Sequence, residues 1–373
     1  MLGPPTPTGG GIPIGIATEE DDMPRIADPE QAVTGGVDTH AEVHVAAVVD
    51  LVGRVLGTEE FPATAAGHQK ALDWMRGHGR LAKVGVEGTG SYGSGLARYL
   101  TVHGVEVVEV IRPNRQTRRR RGKSDAVDAV AAALAALNGD AAARPKTHDG
   151  AVESIRMLRV ARRGAIKART QAANQLRDLV VTAPQSLCDR LAPLPTVERV
   201  AVAARLRPGD LTDPAGAATV AMATVARRYQ MLTAEIDQLD GQLDRLVEHT
   251  APPRLLAKQG VATQVAAALL VAVGDNPTRM EREASFAALC GVSPVDASSG
   301  KQRRHRLNRG GDRQGNSALW RIVITRMAHD PRTRSYVARR TAEGKTTKEI
   351  IRCLKRYVAR EVYKTLVAVA SSP

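Results

Sequence analysis

The chain has 373 residues and a formal net charge of +14 at pH 7. This length allows two or three domains of ordinary size, and such an excess of positive charge favours a polyanionic partner, most often nucleic acid. Apolar residues make up 43% of the chain but aromatic residues only 3%. The cores must therefore be built from Ala, Val and Leu, which favours closely packed helices.

The cysteines and the apolar runs exclude several classes of protein. Three cysteines lie far apart, so neither a disulfide framework nor a zinc site is expected: Cys188, Cys290 and Cys353. No apolar run approaches the ~18 residues that span a bilayer, and the N-terminus lacks a basic-then-apolar signal pattern. We expect a cytoplasmic protein without a membrane segment.

The N-terminal half begins with an extension and continues as an alternating pattern. Residues 1–32 are rich in Gly, Pro and acidic residues without periodicity, which predicts disorder. The stretches GGVDTHAEVHVAAVVD and GRVLGTEEF then predict hairpin strands with a turn at residues 51–53. Two buried strands, AKVGVEGTG and VEVVEVI, alternate with helices, and a helix follows over residues 124–137. This order predicts a mixed α/β sheet in a domain spanning residues 33–145.

After residue 150 the strand signals vanish. Long helices are predicted over residues 152–182 and 216–249, within a helical region of residues 150–250. In the second helix apolar residues recur every 3.5 residues, which predicts a coiled coil with either the 152–182 helix or another chain: Val225, Tyr229, Leu232, Ile236, Leu239, Leu243 and Leu246. Residues 251–370 predict a mainly α domain with a basic, glycine-rich loop. Its helical hairpin can offer backbone N–H groups to a phosphate or serve packing alone.

Four acidic residues occupy positions where a carboxylate needs a partner. Asp38 lies in the first predicted strand and Glu87 ends a buried strand, where a charge is costly unless it is paired or binds a cation. Asp125 and Asp128 lie three residues apart on one helix face. Adjacent strands can place Asp38 beside Glu87, with the helix opposite. Mutual repulsion of four carboxylates then predicts bound Mg²⁺ or Mn²⁺.

Other interpretations of these residues remain. Asp125 alone would be a helix cap or a first-turn acid. His40 and His44 are expected on the same strand face as Asp38, as surface or supporting residues.

Two metal ions bound by the four acids would polarise a phosphodiester. Nearby basic residues are expected to hold nucleic-acid phosphates: Arg118, Arg119, Arg120, Arg121, Lys123, Lys301, Arg303, Arg304, Arg306 and Arg309.

A serine pair supplies a second candidate site. Ser298 and Ser299 precede Gly300 and a run of five basic residues in six. Neighbouring cations would favour attack of a serine on phosphorus, although Ser-Ser-Gly is also an ordinary loop tripeptide.

Several motifs resemble those of a known family. GGVDTH, GVEGTGSYG and KSDAVDA resemble the Asp–Glu–Asp–Asp motifs of insertion-sequence transposases of the IS110 group. GVATQVAAALLVAVGD and FAALCGVSPVDASSGKQRRHRLNRGGDRQGNSALWR resemble that group's C-terminal transposase domain. The resemblance runs from about residue 34 to residue 368. It departs at LNRGGDRQGNSALWR, where the family loop commonly reads SK-x-G-x-x-x-L-R.

The resemblance implies a fold, a chemistry and partners. The first half should be an α/β RuvC-like (ribonuclease H) domain that binds Mg²⁺ through Asp38, Glu87, Asp125 and Asp128. The C-terminal transposase domain should supply a serine that joins covalently to DNA, at Ser299 or, as the alternative, Ser298. A noncoding bridge RNA should pair with donor and target DNA. The subunits should form a homo-oligomer, a dimer of dimers with sites completed across subunits.

The expected function is therefore that of a bacterial, nucleoid-associated DNA transposase or recombinase. Two alternatives stay open. A metal-only, structure-specific nuclease such as a junction resolvase needs the carboxylates but no serine nucleophile. An inactive nucleic-acid-binding remnant needs neither.

Overall fold

A computed structural model of the chain describes residues 31–110, 124–141, 143–299, 305–308 and 310–368. The chain divides into two compact units, the first ending at residue 142 and the second beginning at residue 143. The predicted disordered extension lies, except for its last two residues, outside the described residues. The basic loop of residues 111–123 lies wholly outside them.

The first unit contains a five-stranded mixed sheet. Its strands are β1 (Ala32–Thr39), β2 (Val43–Val49), β3 (Val55–Pro62), β4 (Arg80–Glu87) and β5 (Glu106–Val110). The order is β3-β2-β1-β4-β5. The first three strands pair antiparallel, whereas β4 pairs parallel with both β1 and β5. The predicted mixed α/β sheet is confirmed, and it is consistent with a RuvC-like domain.

Helices cover both faces of this sheet, namely α1 (Ala65–Gly77), α2 (Ser94–Val102) and α3 (Asp125–Leu137). Val37, Val84 and Val86 of the sheet share one apolar core with Leu72 of α1 and Leu96 of α2. The opposite face packs against alanines of α3. Since successive strand residues point to opposite faces, the run of small and β-branched residues in β1 and β2 is buried on both sides.

The second unit is mostly helical. Its helices are α4 (Ala151–Thr182), α5 (Gln185–Leu191), α6 (Thr196–Ala204), α7 (Pro214–Thr250), α8 (Pro253–Leu256), α9 (Thr263–Val273), α10 (Glu283–Leu289), α11 (Arg313–His329), α12 (Pro331–Ala342) and α13 (Thr347–Ala368). The expectation that strands are absent after residue 150 is wrong at one place. A short antiparallel pair, β6 (Val295–Asp296) and β7 (His305–Arg306), interrupts the basic loop.

The two long helices α4 and α7 pack against each other. We call the apolar residues that recur every 3.5 positions from Val225 to Leu246 of α7 the seam. Arg162 Nη2 donates to Asp240 Oδ2 at 2.9 Å, and the Arg169 guanidinium lies 5.8 Å from the centre of the Tyr229 ring. Higher residue numbers on α4 thus meet lower numbers on α7, so the pair is antiparallel. The seam residues of α7 are buried or half-buried. The helices are confirmed, whereas their coiled-coil character stays a prediction.

A tertiary contact caps the start of α4. Gly150 supplies no capping side chain, and Asp275, just after α9, accepts hydrogen bonds from the backbone N–H groups of Val152 (2.8 Å) and Glu153 (3.2 Å). A carboxylate there complements the helix dipole.

Among the described helices, none is both long enough and apolar enough to cross a bilayer.

Candidate functional site

Two glycines bring α3 onto the sheet. Gly36 of β1 and Gly85 of β4 are register partners. A Cβ atom on Gly36 would collide with the backbone of Ala129 and Ala133, and one on Gly85 with the carbonyl group of Ala132. The helix therefore rests directly on the strand backbones, which larger residues at these positions would prevent.

Each of these glycines lies two residues before a candidate acid. Because side chains alternate along a strand, Asp38 and Glu87 point to the same face of the sheet as Gly36 and Gly85, and α3 covers that face. The parallel register places Val37 opposite Val86, so Asp38 and Glu87 follow one position further on the two strands. The Thr39 hydroxyl donates to the Glu87 carbonyl oxygen at 2.8 Å, which fixes the two strand ends together.

Ser124 orients the two acids of α3. Its side-chain oxygen accepts a hydrogen bond from the Val127 backbone N–H at 3.3 Å, which makes Ser124 the N-cap. Asp125 and Asp128 consequently lie in the first helical turn, Asp128 buried and Asp125 exposed. The interpretation of Asp125 as the cap itself is therefore wrong, while that of a first-turn acid is compatible with a second role.

Asp38, His40 and Asp125 form a cluster whose ligand atoms all lie within 4.8 Å of one another. The Nε2 atom of His40 lies 3.2 Å from Asp38 Oδ2 and 3.5 Å from Asp125 Oδ1. His40 belongs to the turn between β1 and β2, which folds its ring between a strand acid and a helix acid. The strand pattern predicts His40 on the strand itself, as a surface or supporting residue, whereas it lies in the turn that follows β1. Its spacing of two residues from Asp38 was the one available signal.

The surroundings of Asp38 disfavour an ionised carboxylate unless a cation is bound nearby. Burial raises the pKa of Asp38, His40 lowers it, and the nearby carboxylates of Asp128 and Asp125 raise it further. Asp38 is only 7% exposed. A bound divalent cation would offset both the burial and the repulsion, so the residues present fit a metal site. Glu87 is half-buried at the adjacent strand end and does not belong to the three-residue cluster.

His44 faces the opposite side of the sheet. It is paired with Thr39, whereas Asp38 is paired with Val45, so the expectation that His44 shares a face with Asp38 is wrong. Its ring stacks on His68 of α1, with centroids 5.5 Å apart and planes 7° apart. Burial lowers the pKa of His44 to about 4, and the neighbouring His68 adds to this effect. A neutral stacked pair is a packing feature of the core on that side.

The serine pair lies in the second unit, one residue after the end of β6. Asp296 accepts hydrogen bonds from the Ser298 backbone N–H at 2.9 Å and from the Ser298 hydroxyl at 2.5 Å. Ser299 is exposed at the next position. We refer to β6, residues 297–299 and β7 as the serine hairpin.

The predicted phosphate-binding residues fall mainly outside the described residues. Arg306 of β7 is described, and it is an exposed residue of the serine hairpin. The others lie outside the described part of the chain: Arg118, Arg119, Arg120, Arg121, Lys123, Lys301, Arg303, Arg304 and Arg309.

Comparison with known proteins matches both halves of the chain to the same group. Residues 35–183 match a DEDD family model described as "Transposase", and residues 253–338 match a family model described as "Transposase IS116/IS110/IS902 family". Together these two matches cover well over half of the chain.

A relative from Streptomyces coelicolor agrees with them. It is described as "Insertion element IS110 uncharacterized 43.6 kDa protein" and is 35% identical over 134 residues. That match covers 34% of this chain and 33% of the relative, so the chain matches about one third of the relative's length. The resemblance seen in the motifs is confirmed, and the chain belongs to the IS110 group of transposases.

Proposed function

We propose that this protein is a DNA transposase or recombinase of a mobile insertion element, which cuts and rejoins DNA at the element's ends. The observation that carries the proposal is the convergence of Asp38 and Asp125 on His40, at the point where β1 ends and α3 begins. Carboxylates from a strand and a helix, brought together beside a basic loop in the sequence, suit a reaction at a phosphodiester.

The proposed cofactor is Mg²⁺, or Mn²⁺ in its place. Its proposed ligands are the carboxylates of Asp38, Glu87, Asp125 and Asp128. The burial of Asp38, the register that sets Glu87 beside it and the position of both helix acids in the first turn support this set. When bound, the metal would polarise the phosphodiester and stabilise charge on its oxygens. His40 lies where it can orient the carboxylates of Asp38 and Asp125.

The proposed nucleophile is the hydroxyl of Ser299. Its oxygen would form an ester bond to phosphorus as the bond from phosphorus to the departing strand oxygen breaks. The serine proton leaves to solvent or base, and the departing oxygen gains one. Ser298 is the alternative, but its hydroxyl already donates to Asp296. This engagement favours Ser299, the exposed neighbour, as the attacking group.

The proposal extends to partners that the family resemblance suggests. These are the DNA of the element ends and of the target, a noncoding bridge RNA, and further copies of the chain in a dimer of dimers. Arg306 and the basic residues around it are proposed to contact phosphates, in keeping with the net charge of +14.

The deciding experiment compares three variants on a DNA substrate that carries the element junction. Ser299→Ala should abolish the covalent protein–DNA adduct, Ser298→Ala should retain it, and Asp125→Ala should abolish strand exchange while RNA binding persists. Adduct formation is followed by denaturing gel electrophoresis. Cleavage that persists in Ser299→Ala would support a metal-only nuclease instead. DNA transactions unchanged in Asp125→Ala would indicate a nucleic-acid-binding remnant.

A further inference from the structure

A large basic cavity lies at the base of the serine hairpin. Its volume is about 880 Å³, and it is lined by residues 291–294 and 305–308 together with residues of α12 and α13. Among the described residues, its lining includes one carboxylate, Glu349, and seven lysines and arginines: Arg306, Arg340, Lys345, Arg352, Lys355, Arg356 and Arg360. Such a concentration of cations creates a strongly positive potential inside a concave surface.

Part of this charge is already neutralised within the protein. Arg356 forms a two-bond ion pair with Glu283, and Arg340 pairs with Glu343. Glu283 also lies 3.8 Å from Arg360. Glu349 is engaged at the start of α13, where it accepts hydrogen bonds from the Thr346 backbone and hydroxyl.

Among the described residues, four cations form no close ion pair, although Glu349 interacts electrostatically with two of them, Lys345 and Arg352. Within the described part of the chain, no carboxylate lies at ion-pair distance from Arg306, Lys345, Arg352 or Lys355. The cavity therefore keeps an excess of positive charge after its internal ion pairs are formed.

Lys355 is the most unusual of the four. It is only 8% exposed, and its Nζ donates to Asn316 Oδ1 at 2.9 Å, which is a neutral partner. Burial lowers the pKa of Lys355, and Arg352 lowers it further. A buried ammonium group without a carboxylate is costly, and an ammonium group has three N–H donors. An anion that enters the cavity would supply the counter-charge that the protein itself does not.

Asn316 connects Lys355 to the serine hairpin. Its Nδ2 donates to the carbonyl oxygens of Cys290 at 2.7 Å and Gly291 at 3.3 Å. Gly291 adopts φ +63°, a conformation that favours glycine, and begins the segment that leads into β6 and Ser299. The buried ammonium group and the base of the serine hairpin are thus separated by one amide side chain.

We propose that this cavity binds a backbone phosphate of a nucleic-acid strand, with Lys355 as its buried anchor and Asn316 as the link to the serine hairpin. A volume of 880 Å³ holds far more than a phosphate, and Tyr357, 54% exposed at the rim, offers a ring on which a base can stack. Bound phosphate would hold Lys355 and Asn316 in place and so fix the turn at Gly291. This inference rests on the proposed function for the identity of the partner, but not for the binding of phosphate.

The first test measures thermal unfolding of the full chain with inorganic phosphate, against sodium chloride of equal ionic strength. Phosphate should raise the Tm of the natural sequence by about 2–4 °C. Lys355→Met should lose this rise, while Lys364→Met, an exposed lysine on the same helix, should keep it. Lys355→Met retains the bulk and removes a buried charge, so it should fold. Arg352→Gln, on the surface of the same cavity, provides an independent second variant and should reduce the rise.

The second test measures the affinity of single-stranded DNA and RNA oligonucleotides of the same sequence over a range of salt. Loss of one phosphate contact in Lys355→Met should weaken binding about three- to tenfold and flatten the log–log salt dependence by about 0.7. A loss confined to one of the two nucleic acids would identify which strand occupies the cavity. Equal Tm shifts and equal salt slopes in Lys355→Met and Lys364→Met would overturn the proposal.

The proposed phosphate-binding cavity and the proposed transposase function can be refuted independently of each other. Asp38→Asn should keep the Lys355-dependent phosphate effect, because Asp38 lies in the other unit. A protein that binds phosphate through Lys355 but never forms a Ser299 adduct would refute the proposed function and leave the cavity assignment intact.

Discussion

Gly36 of β1 lies directly beneath the backbone of Ala133 in α3, with no room between them for a side chain. This contact sets the height of α3 above the sheet, and α3 carries Asp125 and Asp128 in its first turn. The distance between the strand acid Asp38 and the helix acids is therefore controlled by a glycine that does no chemistry.

Replacing Gly36 by Ala should push α3 away from the sheet. The added methyl group collides with main-chain atoms, which cannot rotate away, so we expect a destabilisation of about 2–4 kcal/mol. Urea unfolding of the full chain measures it. Gly77→Ala, at the end of α1 in the same unit with nothing near the added methyl group, should not destabilise the chain and should gain up to about 1 kcal/mol, because alanine favours a helix over glycine. Equal stability of Gly36→Ala and Gly77→Ala would contradict the close contact.

Asp38→Asn should separate the metal response from the fold. Burial raises the pKa of Asp38, so the folded protein binds a proton there more tightly than the unfolded chain does. The ionised group therefore costs stability as the pH rises above the usual range of Asp. Without metal at neutral pH, the variant should be at least as stable as the natural sequence.

With Mg²⁺ present the order should reverse. The natural sequence should gain several degrees in Tm, while Asp38→Asn should gain nothing. Asp73→Asn, which changes an exposed acid of α1 in the same unit, serves as the control and should retain the gain. A gain of equal size in Asp38→Asn would remove Asp38 from the ligand set.

Glu153 should make the second unit sensitive to acid. Hydrogen bonds from Arg156 lower its pKa to about 2 against the opposing effect of burial, and His148 adds to the lowering. The stabilising contribution is therefore fully present above the usual Glu value of about 4.3 and is lost as the pH falls towards 2.

The variant Glu153→Gln should lose about 2 kcal/mol at neutral pH, and the difference from the natural sequence should shrink on acidification. Chemical unfolding at several pH values gives this difference directly. Glu198→Gln, an exposed first-turn acid of α6, should show a small and pH-independent change. A constant deficit for Glu153→Gln would mean that its effect is steric.

Cys290 should resist thiol reagents in the folded protein. It is fully buried, and burial raises its pKa to about 12, with Asp312 adding to the rise. Since the thiolate is the reactive form, alkylation should proceed at the half-buried Cys188 and Cys353 and reach Cys290 only in denaturant. Peptide mass spectrometry locates the label. Rapid native labelling of Cys290 would show that the core around α10 opens readily.

Much of the local structure follows from sequence patterns alone. The alternation around Asp38, the glycine-bounded strand that ends at Glu87 and the Ser124 cap before a run of alanines each specify an element from neighbouring residues. The 3.5-residue seam from Val225 to Leu246 likewise predicts one buried helix face, because periodicity depends only on chain geometry.

The contacts between these helices and strands are visible only in the tertiary structure. Periodicity left the partner of these apolar residues open, and in the structure α7 packs against α4 of the same chain. Such packing depends on which apolar face is nearest in space, which periodicity does not specify. The position of His40 between two acids depends on a turn of three residues. The burial of Lys355 depends on helices distant in sequence.

The sequence by itself thus determined the strands of the five-stranded sheet, the long helices, the candidate acids and serines, and the family to which their motifs belong, but not β6 and β7. Three features are visible only in the tertiary structure. Gly36 and Gly85 allow the backbone of α3 to contact the sheet, His44 faces away from Asp38, and the buried Lys355 lies beneath the serine hairpin. The physical reason is the distance along the chain over which each interaction acts. Local backbone geometry fixes which way a side chain points along its own helix or strand. The residues that it contacts come from helices and strands far away in the sequence, which packing brings together.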